Sequence, residues 1–234
     1  MIPPQNAELH LWHVKLDEGL YQSSSAPLLN AEEMKRAVKF KFELHRKRYI
    51  TARAGLRSIL SLYLEVSPQN IQIFLTPEGK PFLNDSDLQF NVSHSHDLAL
   101  YAFCARLPLG IDIEKIRSSY NEAVAERFFS PAEYATFVQL APEQRRLQFF
   151  KIWTGKEALV KGLGEGLGFP LPSFSIPEEG DIKEVQLTHQ GLAQRWYLEH
   201  LDLFPGYQAA LATPQKMTQR SYFEWTPAGK MNWR

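Results

Sequence analysis

A chain of 234 residues, 44% hydrophobic and 22% charged, is long enough to bury a core as one large domain or two small ones, and too apolar to be disordered or fibrous. Its 26 Lys and Arg balance its 26 Asp and Glu, so bulk charge gives no hold on nucleic acid or an anionic membrane, and a polyanion has to be met by a local cluster. The single cysteine, Cys104, excludes an intramolecular disulfide and a multi-cysteine zinc cage and fits a reducing, cytoplasmic setting.

No apolar run approaches the ~18 residues of a membrane span, and the Met-Ile-Pro-Pro start lacks the basic residues of a secretory signal. Residues 8–14 alternate polar and apolar side chains, which predicts a half-buried strand, and Ser23–Pro27 reads as a loop. A basic helix is expected from Asn30, its N-cap, through Met34, Val38 and Phe40. A second helix follows, with Tyr49, Ala52, Leu56, Ile59 and Tyr63 at helical spacing and Pro68 closing it. Ile71–Leu75 reads as a strand, Thr76–Pro81 as a turn, Asn91–His96 as a connection and Leu98–Cys104 as a fully buried strand. Pro108 and Gly110 punctuate; Ile111–Glu114 restarts as a strand, giving an antiparallel hairpin and a boundary near residue 108. Ser130-Pro131-Ala132-Glu133 is a helix start, with a capping serine, proline at the first position and glutamate at the third. A longer helix is expected over Gln144–Leu163, then strands at Lys183–Leu187, Trp196–His200 and Gln208–Leu211. The sum is an α+β chain of two comparable lobes, 1–108 and 109–234.

Several charges stand where packing alone would not put them. Asp112 and Glu114, two apart on a strand, project from one face while Ile111 and Ile113 take the other. Such a pair is either a solvated face or, with a third oxygen donor, a site for Mg²⁺. On the long helix Lys156 falls inside the apolar stripe of Phe149, Ile152, Trp153, Leu159, Val160 and Leu163, so its ammonium needs a partner or has to snorkel; Glu157 sits on the stripe's edge. Between residues 35 and 57 lies a basic cluster of Lys35, Arg36, Lys39, Lys41, Arg46, Lys47, Arg48, Arg53 and Arg57. Gly79-Lys80-Pro81 is a turn able to offer a lysine and backbone N–H groups to an anion, and Ser93 and His94 add further donors. His94 and His96 lack a third ligand for zinc.

In this order, Gly79-Lys80-Pro81, Asn91-Val92-Ser93-His94-Ser95, Gly110-Ile111-Asp112-Ile113-Glu114 and Trp153-Thr154-Gly155-Lys156-Glu157-Ala158-Leu159-Val160-Lys161 resemble the 4′-phosphopantetheinyl transferases of the Sfp type. Arg127-Phe128-Phe129-Ser130-Pro131-Ala132-Glu133 resembles the region that joins the last two blocks. The resemblance implies two similar lobes related by a pseudo-twofold axis in a monomer. It implies transfer of the phosphopantetheine arm of coenzyme A to a serine of an apo acyl or peptidyl carrier protein, in fatty-acid, polyketide or peptide synthesis, with release of adenosine 3′,5′-bisphosphate. Asp112, Glu114 and Glu157 match its magnesium-binding carboxylates, and Glu157 its candidate general base. Lys156 and Lys161 match lysines near the pyrophosphate. Arg48, His94 and Ser93, with Arg53, match a 3′-phosphate clamp, and Lys80 and Pro81 an adenine-side contact. The basic residues of 35–57 or the apolar residues of 163–169 would meet the carrier. Two other readings use the same residues: a magnesium-dependent hydrolase of nucleotide pyrophosphates, and a non-catalytic carrier-binding module.

Overall fold

The computed structural model describes residues 1–17, 25–226 and 229–232. Strand β1 (Glu8–Lys15) is buried along nearly its whole length, because it lies at the centre of a sheet covered on both faces. After the helices α1 (Ala31–Ala37) and α2 (Glu43–Leu64), two further strands, β2 (Phe74–Leu75) and β3 (Pro81–Phe82), form a separate small ribbon. The central sheet runs β11-β10-β1-β5-β4. It takes β4 (Leu88–Ser95) and β5 (Leu98–Ala105) from the first half of the chain, and β10 (Gln219–Thr226) and β11 (Gly229–Asn232) from its end. A second sheet, of order β6-β9-β8-β7, contains β6 (Gly110–Lys115), β7 (Ile182–His189), β8 (Leu192–Leu201) and β9 (Tyr207–Thr213). Between β6 and β7 come α3 (Glu122–Phe128), α4 (Pro131–Phe137) and α5 (Pro142–Leu163).

Side-chain alternation orders these pieces into four layers. Trp12, Val14, Ala99, Tyr101 and Phe103 pack against Ile50, Ala54, Ile59 and Leu60 of α2. On the other face of the same strands Leu9, Leu11, Leu98, Leu100 and Ala102 meet Ile111, Ile113, Ala209 and Leu211 of the second sheet. The far face of that sheet presents Trp196, Leu198, Ala210 and Ala212 to Ala158, Leu159 and Val160 of α5. Each lobe thus sets a 22-residue helix on its own sheet, and each precedes that helix with a short one opened by a capping box, Asn30 with Glu33 and Ser130 with Glu133. The α+β, two-lobed expectation holds. Among the described residues no helix is long and apolar enough to cross a membrane.

Four local expectations change. Residues 98–105 and 110–115 do not form a hairpin: β5 already has β1 and β4 on its two edges, so β6 turns the corner into the other sheet and stacks beneath it. Asn91–Ser95 is strand, not connection. The second lobe, expected over 109–234, does not keep the end of the chain: β10 runs parallel to β1 and belongs to the sheet of the first half. Finally α1 stops at Ala37, where the chain turns so that Phe40 packs on Tyr49 of α2, the ring centroids 5.2 Å apart. Of the loop at Ser23–Pro27, Ser23 and Ser24 lie outside the described residues, and Ala26–Leu28 make a 3-10 turn.

Candidate functional site

The lobes are joined by an unusual seam. β4 and β6 are edge strands of different sheets, and β6 would leave backbone N–H groups unpaired where the two meet. Side chains of β4 at alternate positions satisfy them: Asn91 Oδ1 accepts from Ile111 N at 2.9 Å, Ser93 Oγ from Ile113 N at 3.3 Å and Ser95 Oγ from Lys115 N at 3.1 Å. The same hydroxyls donate to the carboxylates of β6, Ser93 to Asp112 Oδ1 at 2.7 Å and Ser95 to Glu114 Oε2 at 2.6 Å. This period-two run of Asn, Ser and Ser explains why a strand so polar exists at all.

Helix α5 closes the other side. A Cβ on Gly110 would lie 1.8 Å from the Ala158 carbonyl oxygen and 2.3 Å from Gly162 N, so only glycine lets β6 and α5 touch backbone to backbone. Gly162 in turn faces the Trp196 ring, 2.6 Å from where its Cβ would be. At this separation Trp153, Glu157 and Lys161, spaced four apart on one helix face, stand over Asp112 and Glu114. With Val92, Ser93 and His94 they line a cleft of about 340 Å³.

The electrostatics of the cleft are those of a crowded acid site beside a lysine. Lys161 Nζ lies 2.6 Å from Asp112 Oδ1 and donates to Ser93 Oγ at 3.1 Å. Burial raises the Glu157 carboxyl to about 7; Lys161 opposes the rise and the charges of Asp112 and Glu114 add to it. Glu114 is raised too, by burial first, against its bond from Ser95. His94 is held below the usual imidazole range, by the protein crowded around it and then by Lys161, although its ring edge reaches solvent. Asp112 Oδ2 is buried and has no hydrogen-bond partner. Among the described residues no three potential ligands stand close enough to be a ready-made metal cage. The donor set is nevertheless all oxygen, with one orphaned carboxylate atom and one carboxyl that gives up its proton reluctantly, and both conditions are relieved by a hard divalent cation.

The structure therefore brings together Ser93, His94, Asp112, Glu114, Glu157 and Lys161, and it places the other candidates elsewhere. Lys156 is fully buried on the far side of α5. Its ammonium forms an ion pair with Glu133 at 2.8 Å and donates to the carbonyls of Leu171 at 2.9 Å and Phe174 at 2.7 Å. All three protons are engaged, which removes Lys156 from contact with a pyrophosphate and supplies the partner its position in the stripe demanded. Arg53 and Arg57 both pair with Glu33. Arg48 holds Asp17 through two bonds of 2.6 and 2.7 Å and lies beside His96 rather than His94. Lys80 donates to the Gly162 carbonyl at 2.8 Å, at the C-terminal end of α5, and burial lowers it to about 8; Pro81 pairs with Leu75 in the small ribbon. The basic cluster is thus partly neutralised from within, with Lys35 on Glu32 and Arg46 on Glu43 as well. Trp153, Ser95 and Glu133 stand in the sequence as a stripe residue, a motif residue and a capping-box residue, with no role in the site assigned to them. The signal for Ser95 is its place two residues after Ser93; the capping box marks Glu133 as a helix-start residue but not as the partner of Lys156.

Residues 108–212 match the family model of the 4′-phosphopantetheinyl transferase superfamily, and residues 18–105 match that of the 4′-phosphopantetheinyl transferase N-terminal region. The 4′-phosphopantetheinyl transferase HetI of a Nostoc species is 42% identical over 166 residues, covering 68% of this chain and 70% of its own. The 4′-phosphopantetheinyl transferase Sfp of Bacillus subtilis is 28% identical over 228 residues, covering 92% of this chain and 99% of its own.

Proposed function

This chain belongs to the 4′-phosphopantetheinyl transferase family, and from that premise we propose that the cleft between β6 and α5 is where it transfers the phosphopantetheine arm of coenzyme A to a carrier-protein serine. The observation that supports this most is the meeting, across the seam of two lobes, of Ser93 and His94 with Asp112, Glu114, Glu157 and Lys161 in one cleft. Asp112, Glu114 and Glu157 would hold Mg²⁺, and the orphaned Asp112 Oδ2 is a vacant ligand atom for it. When bound, the ion offsets the charge of the pyrophosphate that the incoming serine has to approach.

The chain's own groups have separable tasks. Lys161 places a positive charge over Asp112 and Ser93, at the position where phosphate oxygens would gather charge. His94, at the rim, is the donor for the 3′-phosphate. Glu157 is the general base: its carboxylate takes the proton of the serine hydroxyl, which is a poor nucleophile until that proton is withdrawn. Trp153 walls the cleft beside it. Neither the hydrolase nor the carrier-binding reading draws support from the relatives, which are named as transferases.

The test is incubation with coenzyme A, Mg²⁺ and an apo carrier protein, scored by the mass of the carrier and by released adenosine 3′,5′-bisphosphate. Release that depends strictly on the carrier serine supports transfer. Release without carrier, or none at all, refutes it.

A further inference from the structure

Lys156 is not a solitary oddity, because the other lobe contains its counterpart. Arg57 is the fifteenth residue of the 22-residue helix α2, and Lys156 is the fifteenth of the 22-residue helix α5. Both are shut away from solvent, at 1% and 0% exposure. Each pairs with the glutamate of the capping box that opens the preceding short helix, Arg57 with Glu33 and Lys156 with Glu133. Each also donates to two backbone carbonyls of the segment leaving its own long helix. Arg57 Nη1 donates to Pro68 O at 2.6 Å and Ile71 O at 3.0 Å; Lys156 Nζ donates to Leu171 O and Phe174 O. The same anchor has been built twice.

In the second copy the glutamate itself also holds the segment that follows the long helix. Glu133 is bound at both oxygens, accepting from Ser130 N and Ile176 N at 2.7 Å each, and Ser130 Oγ meets Ser175 Oγ at 2.7 Å. Lys156 also sits 4.3 Å from the centroid of the Phe174 ring. The start of α4, the middle of α5 and residues 171–176 therefore share one buried charge pair, adjacent in sequence to Glu157. A helix rolled by about 10° moves a carboxylate held about 6 Å from its axis by about 1 Å. The bonds at Lys156 oppose such a roll from the side of α5 away from the cleft.

We propose that Lys156 and Glu133 are a positioning pair, fixing the rotation of α5 and so the placement of Glu157 and Lys161, whereas Arg57 with Glu33 only holds its own lobe together. The catalytic half of this inference rests on the transferase reading above; the anchoring half does not.

The experiment compares Lys156→Met, Glu133→Gln, the double variant, Lys156→Arg and Arg57→Met in the carrier-modification assay, with coenzyme A affinity by calorimetry and amide exchange by mass spectrometry. Lys156→Met is expected to lower kcat about 100-fold, the order of loss caused by a 1 Å misplacement, while coenzyme A binds within about twofold of wild type. Glu133→Gln should move kcat in the same direction, and the double variant should be no worse than Lys156→Met, since one unit is broken once. Lys156→Arg should recover most of the loss, as arginine already performs this task at position 57. Arg57→Met should lower Tm and leave kcat per folded molecule within about twofold. Faster exchange at residues 171–176 in Lys156→Met reports the loosened anchor whatever the substrate. If Lys156→Met does not fold, the double variant, which leaves no unpaired buried charge, takes its place. Weakened coenzyme A binding in Lys156→Met with Glu133→Gln indifferent would mean a direct contact and overturn the proposal; so would unchanged kcat per folded molecule. If wild type modifies no carrier, the transferase reading has failed, and unchanged exchange at 171–176 would then overturn the anchor as well.

Discussion

Gly110→Ala is the sharpest single-methyl probe of the cleft, because it tests the spacing of β6 and α5 without touching any group that reacts. The added Cβ would stand 1.8 Å from the Ala158 carbonyl oxygen, against the 3.4 Å at which ordinary contact begins, and 2.3 Å from Gly162 N. Both obstacles are backbone, so no side chain can swing aside; the helix has to retreat by about 1.6 Å or tilt. Overpacking of this kind costs about 1–3 kcal/mol or more, and Trp196 behind Gly162 blocks the simplest escape. The retreat carries Glu157 and Lys161 away from Asp112 and Glu114, and a displacement of ~1 Å at a reacting centre can remove two orders of magnitude in rate. Steady-state carrier modification should therefore show kcat reduced about 100-fold. Calorimetric titration of Mg²⁺ should show weakened binding, and thermal unfolding should show a lower Tm. A variant with wild-type kcat and wild-type Tm would refute the claim that this contact sets the geometry of the cleft.

Three further outcomes follow from individual groups. The Glu157 carboxyl is raised from 4.5 to about 7 in the folded protein, so the folded state binds the extra proton and metal-free stability falls as pH rises through that window, by up to about 3 kcal/mol; Glu157→Gln should abolish this slope, and a wild-type slope in the variant would assign it elsewhere. His94→Ala should weaken coenzyme A more than its 3′-dephospho analogue in calorimetry, and equal losses for the two ligands would remove His94 from the 3′-phosphate. Ser95→Ala strips Lys115 N of its acceptor and Glu114 of its donor, which should lower unfolding free energy in urea by about 1–3 kcal/mol; no change would show that the seam does not depend on this hydroxyl.

The parts of this molecule legible in its sequence are those fixed by local periodicity. The unbroken apolar run of β5 and the helical spacing of Tyr49, Leu56, Ile59 and Tyr63 each record which faces are covered, and the capping signals at Asn30 and Ser130 record where helices begin; the alternation of β1, by contrast, predicts a half-buried strand, and the structure covers both its faces, His10 and His13 included. Long-range pairing left no such trace. Nothing in residues 219–226 announces that they lie parallel to β1, more than 200 positions away, and nothing in 111–114 says which sheet they join. Polar β4 reads as a loop because its Asn91, Ser93 and Ser95 serve another strand's backbone instead of a core. The cleft was legible to the extent that its groups are costly: paired acids on one strand face and a charged helix edge both demand an explanation. Lys156 raised the same demand, and its partner, Glu133, could be named only once α4 was seen packed beside α5.

The two lobes also differ in what fills the space between their first strand and their long helix. With an offset of 100 residues β1 and β6 turn matching faces to the space between the sheets, Leu11 and Ile111 both packing there, so Trp12 and Val14 stand at the sequence positions that correspond to Asp112 and Glu114. With the offset of 99 that aligns the long helices, Ser58 and Leu62 occupy the places of Glu157 and Lys161. In the first lobe the space between strand and helix is therefore filled by an indole, which donates to Tyr63 Oη at 2.8 Å, and by aliphatic carbon; burying them stabilises the fold by about 1.5–3 kcal/mol per side chain. In the second lobe the same positions hold carboxylates and an ammonium, whose desolvation offsets what packing would have contributed. That cost falls on the lobe whose helix is clamped by Lys156 and Glu133 from behind. Both lobes bury a core of their own, and the second also sets charged groups between its strand and its helix.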